Sequence, residues 1–146
     1  MALTEYVTKE EVQRVCAELG LSDWTQLGGE GVDQKEAAVI RDVIGAEALD
    51  VSLDAFTHGL DVELEHGIEF PDANVTNNHP ILTAKIVLAH LKEMLDYYER
   101  LEGAELEGDM FKALLAGNEA KVAAKHALWI QAKAELSEAE ANQRQS

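Results

Sequence analysis

The stretch Gly59-Leu60-Asp61-Val62-Glu63-Leu64-Glu65-His66-Gly67, joined by a polar link to Pro80-Ile81-Leu82-Thr83-Ala84-Lys85-Ile86-Val87-Leu88-Ala89-His90-Leu91-Lys92-Glu93, decides how this chain is read. Apolar residues recur in both segments at steps of three and four, the period of an amphipathic helix. The link, residues 68–79, carries Pro71, Asn74, Asn77 and Asn78 and is short, so the two helices are expected to run antiparallel. Ser52 is the expected cap of the first of them and Gly67 its stop. His79 caps the second, with Pro80 at the favoured first position. Phe56, Leu60 and Leu64 mark the inward direction of one helix. Leu82, Ile86, Ala89, His90, Glu93 and Tyr97 are expected to share the buried face of the other. A common core of Leu60, Leu64, Leu82, Ile86 and Tyr97 follows.

Outward from this hairpin the chain stays helical. Thr8, with Glu11 three residues on, opens a helix whose stripe is Val12, Val15, Cys16 and Leu19, ended by Gly20. Residues 21–31 form a turn-rich link in which Trp24 is expected to anchor onto the core. Asp33 and Glu36 open the next helix, whose apolar face is Ala37, Ile40, Val43 and Ile44. Gly103 and Gly108 bracket a further link. The last helix is expected from about Met110 to Ala141, roughly 45 Å at ~1.5 Å per residue. Its stripe is Phe111, Leu115, Asn118, Val122, His126 and Trp129. Phe111, Leu115, Val122 and Trp129 are the candidate partner-binding residues, with Trp129 either against another chain or deep in the bundle. The fold class is all-α, a single-domain helical bundle of four to five helices over residues 1–146 with a long C-terminal helix.

Composition narrows the function. The 28 acidic residues against 12 basic ones give a net charge of −16, which opposes nucleic acid or an anionic membrane as partner. A protein partner or a homo-oligomer is the expectation. Cys16 is the single cysteine, so no internal disulfide and no Cys-rich metal site exist. The opening Met-Ala-Leu-Thr-Glu-Tyr-Val lacks the features of a signal peptide, and a cytoplasmic site of synthesis is expected.

One constellation carries candidate chemistry. Glu63 with His66, and His90 with Glu93, are each spaced three apart on one helix face. Together with His126 they are the candidate metal ligands, a nitrogen and carboxylate set suited to zinc, iron or manganese. The competing reading is a set of ion pairs, with Lys85, that fixes hairpin register. In an antiparallel hairpin Glu63 is better placed than His66 to meet His90 and Glu93, with His126 completing the set if a metal binds. Asp72, Asn74, Thr76 and Asn78 alternate as in a calcium loop, but Asn77 and Thr83 stand where the central glycine and closing glutamate belong, so a capping turn is expected. No phosphate loop, activated nucleophile or basic stripe is present; no catalytic or organic-cofactor residues are assigned, and an enzyme is disfavoured.

The run ELEHG at 63–67, Asn74-Val75-Thr76 before Pro80, Thr83-Ala84-Lys85-Ile86, Ala89-His90-Leu91-Lys92-Glu93 and Asp96-Tyr97-Tyr98 resembles a small family of uncharacterised helical proteins of bacteria and their phages. The resemblance covers residues 8–21 and 53–102, about half the chain. It implies that residues 22–50 are an insertion and that the last helix, about 109–141, is an extension. It implies no activity. Its phage members imply a virion or phage-encoded accessory role, capsid component included. The resulting expectation is a non-enzymatic, acidic, helical structural or interaction protein, with a metal-binding helical protein as the alternative.

Overall fold

A computed structural model describes residues 6–46 and 49–145; the opening residues 1–5, read above for a leader, lie outside the described residues. Six α-helices and no strand occur among the described residues, so the all-helical expectation holds. The chain divides into two compact units, Met1–Leu95 and Asp96–Ser146.

The first unit holds α1 (Lys9–Leu19), α2 (Gln34–Ile44), α3 (Leu53–Glu69) and α4 (Pro80–Glu93), with short 3-10 turns at Trp24–Gln26 and Pro71–Ala73. Helix ends follow the capping residues. The Thr8 hydroxyl accepts from the Glu11 amide at 3.2 Å, Asp33 from Lys35 at 2.8 Å and Ser52 from Ala55 at 3.1 Å. Gly20 and Gly45 close α1 and α2 in the left-handed conformation that glycine adopts without cost. The capping boxes form only by half: Glu11 turns to Arg14, and Glu36 turns to the link before its helix.

The core of this unit is Val12, Cys16, Trp24, Ala37, Ile40, Phe56, Leu60, Leu64, Ala84, Val87 and Leu91. Trp24 is fully buried, as an anchor must be. Three expectations are corrected. α3 runs through Gly67 to Glu69 and ends at Phe70. Val43 is exposed, leaving Ala37 and Ile40 as the buried face of α2. The buried face of α4 is Pro80, Thr83, Ala84, Val87 and Leu91, whereas Ile86 is exposed and Leu82 half-buried. Small Thr83 and Ala84 let α4 approach α2 and α3, both of which it contacts. The bulkier Leu82 and Ile86 flank the seam rather than fill it. Leu60 and Leu64 therefore share a core with Val87 and Leu91.

The second unit is a helical hairpin of α5 (Tyr97–Leu115) and α6 (Glu119–Gln143). The expected link at Gly103–Gly108 is helix instead. Two glycines cost about 1 kcal/mol each, which Leu101, Leu106, Met110 and the surrounding Glu and Ala residues offset. The break falls at Gly117, which takes φ +66°. Asn118 then caps α6 through a 3.0 Å bond from Lys121 N to its Oδ1. The stripe expected from Phe111 through Asn118 to Trp129 is thus cut in two. Tyr97 opens α5, and its neighbour Tyr98 is the buried ring. At 25 residues α6 is the longest helix described, about 38 Å at ~1.5 Å per residue.

At the base of this hairpin Asp96 is 4% exposed and takes two bonds from Arg100, Nε at 2.9 Å and Nη2 at 2.8 Å. Gln143 donates to Asp96 at 3.1 Å, and Arg100 also reaches Glu140 at 2.8 Å. The start of α5 is thereby tied to the end of α6. The Arg100 guanidinium holds the Asp96 carboxyl below the usual carboxylate range. Its contribution is complete above the unfolded-state value and is lost as pH falls through the folded one.

Candidate functional site

Glu63 on α3 and His90 on α4 meet: His90 Nδ1 lies 2.9 Å from Glu63 Oε1, and both side chains are largely shielded. The antiparallel hairpin produces this contact between residues 27 apart, as the register argument requires. Within the same unit His66 and Glu93 do not join it. His66 and Glu93 are exposed, because rotation of α4 about its axis carries Glu93 outward and α3 carries His66 past the seam. His126 belongs to the second unit, where it stacks on Trp129 at 5.9 Å. Among the described residues no group of three or more His, Cys, Asp or Glu side chains is placed to hold a metal ion. Of the four candidates in the first unit only Glu63 and His90 meet, and that pair suits a register-fixing contact.

The loop between α3 and α4 is closed by a set of side-chain hydrogen bonds. Asn77 and Asn78 take positive φ, 49° and 61°, a conformation asparagine tolerates better than most residues. Asn78 Nδ2 donates to the Trp24 carbonyl at 3.2 Å, and Asn78 Oδ1 accepts from Asn74 Nδ2 at 2.9 Å. Asn74 also donates to the Gly67 carbonyl at 3.3 Å. Asn77 Nδ2 donates to the Val7 carbonyl, just ahead of α1. The alternating Asx and Thr residues thus clasp α3, the Trp24 turn and the entry to α1. The capping-turn reading of this segment is the one the geometry follows.

His79 completes the clasp. It is 8% exposed, and its Nδ1 accepts from Ile81 N at 3.2 Å and Leu82 N at 3.4 Å. Burial pushes the imidazole below its ordinary range, against the pull of the Glu11 carboxylate. The unfolded chain therefore takes up the proton first on acidification. Stability from the neutral cap is complete above about pH 6.5 and is lost as pH falls from there toward the lower folded value. His79→Asn, which keeps a capping oxygen, is expected to flatten this part of the profile; equal slopes in denaturant titrations at successive pH values would refute the assignment.

Sequence reasoning missed two carboxylates with placed partners. Glu36 accepts from Ser22 N at 2.6 Å and from Trp24 Nε1 at 2.8 Å. Asp61 accepts from Val32 N at 2.7 Å. Both fix the 21–32 link, and neither leaves a periodic signal in the sequence.

The partner candidates of the second unit separate. Phe111 and Leu115 are exposed at 60% and 72%, while Val122 and Trp129 are half-buried between the two helices. Trp129 Nε1 donates to Glu107 at 3.1 Å, and Lys133 lies 5.9 Å from the indole ring. Trp129 is neither fully buried nor free. Leu114, Leu128 and Ile130 add to the exposed apolar residues. No helix among the described residues is long and apolar enough to cross a membrane.

Among the described residues the chain is all-α: one unit is a group of helices stapled by an asparagine-rich loop, the other a two-helix hairpin with apolar residues outside. The chain belongs to the DUF5661 family, described as a protein of unknown function, whose model matches residues 12–107. That match takes in α2 as well as the motifs of α3 and α4. No curated protein and no solved structure matches the chain.

Proposed function

We propose that this protein is a non-enzymatic structural or interaction protein that self-associates through its second unit. The observation carrying this reading is the exposure of Phe111, Leu114, Leu115, Leu128 and Ile130 on a hairpin only two helices thick. Each helix can bury one face against the other, and no second layer within the unit covers the rest. A second copy supplies that layer, since two hairpins make a four-helix bundle with up-and-down neighbours. A self-associating component suits the virion or accessory role that the phage members of the resemblance imply. The test is sedimentation of the full chain across a concentration series, with Leu114→Glu and Leu115→Glu variants. The parent is expected to associate and the variants to shift to monomer with unchanged helix content. A parent that stays monomeric throughout would overturn the reading.

The metal-binding alternative has the Glu63–His90 contact in its favour. Elemental analysis after chelator-free purification is expected to find no stoichiometric zinc, iron or manganese. His90→Ala is then expected to cost about 1 kcal/mol, the net worth of a partly shielded hydrogen bond. A stoichiometric metal lost with His90 would reverse the order of the two readings.

A further inference from the structure

The hairpin of the second unit carries a cavity at its closed end that governs how two copies can meet. It measures about 420 Å³, between Leu114 of α5, Gly117 and Asn118 at the turn, and one flank of α6. The α6 residues that line it are Glu119, Val122, Ala123 and His126, at i, i+3, i+4 and i+7. Four residues so spaced form the hole that receives one side chain of a facing helix. Leu114, Val122 and Ala123 make its walls apolar, so the side chain it takes is apolar too.

The same flank of α6 presents such a side chain. Glu119, Ala123, His126, Ile130 and Lys133 recur at steps of four and three along one side of the helix. Ile130 is 54% exposed there, one turn beyond the hole. The opposite flank differs in kind. Lys121, Lys125 and Leu128 recur along it at the same steps, and Asp109 meets Lys125 at 2.7 Å and Lys112 at 3.8 Å. A two-fold contact through that flank would set lysines against lysines, because an isologous interface opposes each patch to itself.

Seating Ile130 of a second copy in the hole fixes the register. The hole is centred between Val122 and Ala123, so an antiparallel α6 of the second copy places the two-fold axis at His126. Every other pairing follows from that axis. Glu119 and Lys133 each lie seven residues from His126, about 10 Å along the helix. Glu119 of one copy therefore faces Lys133 of the other, and the pair occurs twice. The charges thus complement one another in a register set by packing alone. A parallel pairing would instead oppose Ile130 to Ile130 and Lys133 to Lys133, and would leave both holes unfilled.

We propose that two copies of this chain pack α6 on α6, antiparallel about a two-fold axis at His126. Ile130 of each copy fills the end cavity of the other, and Glu119 of each pairs with Lys133 of the other. The inference rests on the self-association reading and adds to it the face, the register and the contacts. The flank with Lys121, Lys125 and Leu128 stays outside.

The experiment uses the full chain, with sedimentation over a concentration series and helix content followed by circular dichroism. Ile130→Glu is expected to raise the dimer dissociation constant roughly tenfold or more, since it buries an unpaired charge. Leu128→Glu, on the other flank, is expected to leave it within about twofold. Glu119→Lys and Lys133→Glu each turn both ion pairs into repulsions, and each is expected to weaken association about five- to tenfold. The double variant restores both pairs and should associate like the parent. An equimolar mixture of the two single variants should do the same, since each supplies the charge that the other lacks. Local damage to the helix cannot produce that rescue. A parent that stays monomeric overturns the self-association reading and this inference with it. With an associating parent, Ile130→Glu behaving like the parent or like Leu128→Glu overturns the α6 contact alone. Charge reversals without effect, or not rescued by the double variant and the mixture, do the same.

Discussion

Trp24→Ala is expected to lower the unfolding free energy of the first unit by about 3–5 kcal/mol, the usual cost of emptying a buried aromatic site. The indole is fully buried although its 3-10 turn spans only three residues. The loss has three parts. The ring volume vanishes from the packing around it. Glu36 Oε2 loses the 2.8 Å bond from the indole nitrogen. The backbone carbonyl that accepts from Asn78 is no longer held by an anchored side chain. Against a typical total of 5–15 kcal/mol this removes a large share of the stability. Trp24→Phe keeps much of the ring and loses the N–H, so its cost should be clearly smaller. Denaturant titration followed by far-ultraviolet dichroism measures both; a loss under about 1 kcal/mol for the alanine variant would mean that the link is not packed as described.

Gly67→Ala is expected to be destabilising by about 1–3 kcal/mol, the range for overpacking, although alanine normally improves a helix interior by about 1 kcal/mol. The sign is set by Asn74. A Cβ on Gly67 would stand 2.7 Å from Asn74 Cγ and Nδ2. Asn74 cannot swing aside freely, because the same amide group bonds Asn78 and the Gly67 carbonyl. A double-mutant cycle separates the causes. With Asn74→Ala already in place the obstruction is gone, and Gly67→Ala should become neutral or stabilising. Equal costs in both backgrounds would exclude the close approach as the reason.

The legible parts of this chain were those where one residue acts on its own backbone. Thr8, Gly20, Asp33, Ser52 and the His79-Pro80 pair mark helix ends by local chemistry, and all five positions behave so in the structure. Counting rise along two antiparallel helices puts Glu63 near both His90 and Glu93; the His90 contact forms, whereas Glu93 is exposed. What failed depends on partners that are distant in sequence. The face α4 buries is chosen by how closely α2 and α3 approach, which favours Thr83 and Ala84 over the larger Ile86. Gly103 and Gly108 look like breakers in isolation, yet α5 runs through both and ends near Gly117. The stripe drawn through Asn118 assumed an unbroken helix; a residue that caps a helix cannot also belong to the face of a longer one.

The bonds from Asn77 and Asn78 have a consequence for the order in which the chain can assemble. They close onto the Val7 and Trp24 carbonyls across 70 and 54 residues. Closures this distant in sequence slow folding, since the intervening segment must lose its freedom before the contact forms. On a ribosome, α1, the Trp24 turn and α2 emerge first, but the asparagines that fasten the first two are made later. The N-terminal third of the protein must therefore wait, partly formed and with Val12, Cys16 and Trp24 uncovered, until the loop ahead of α4 has left the exit tunnel.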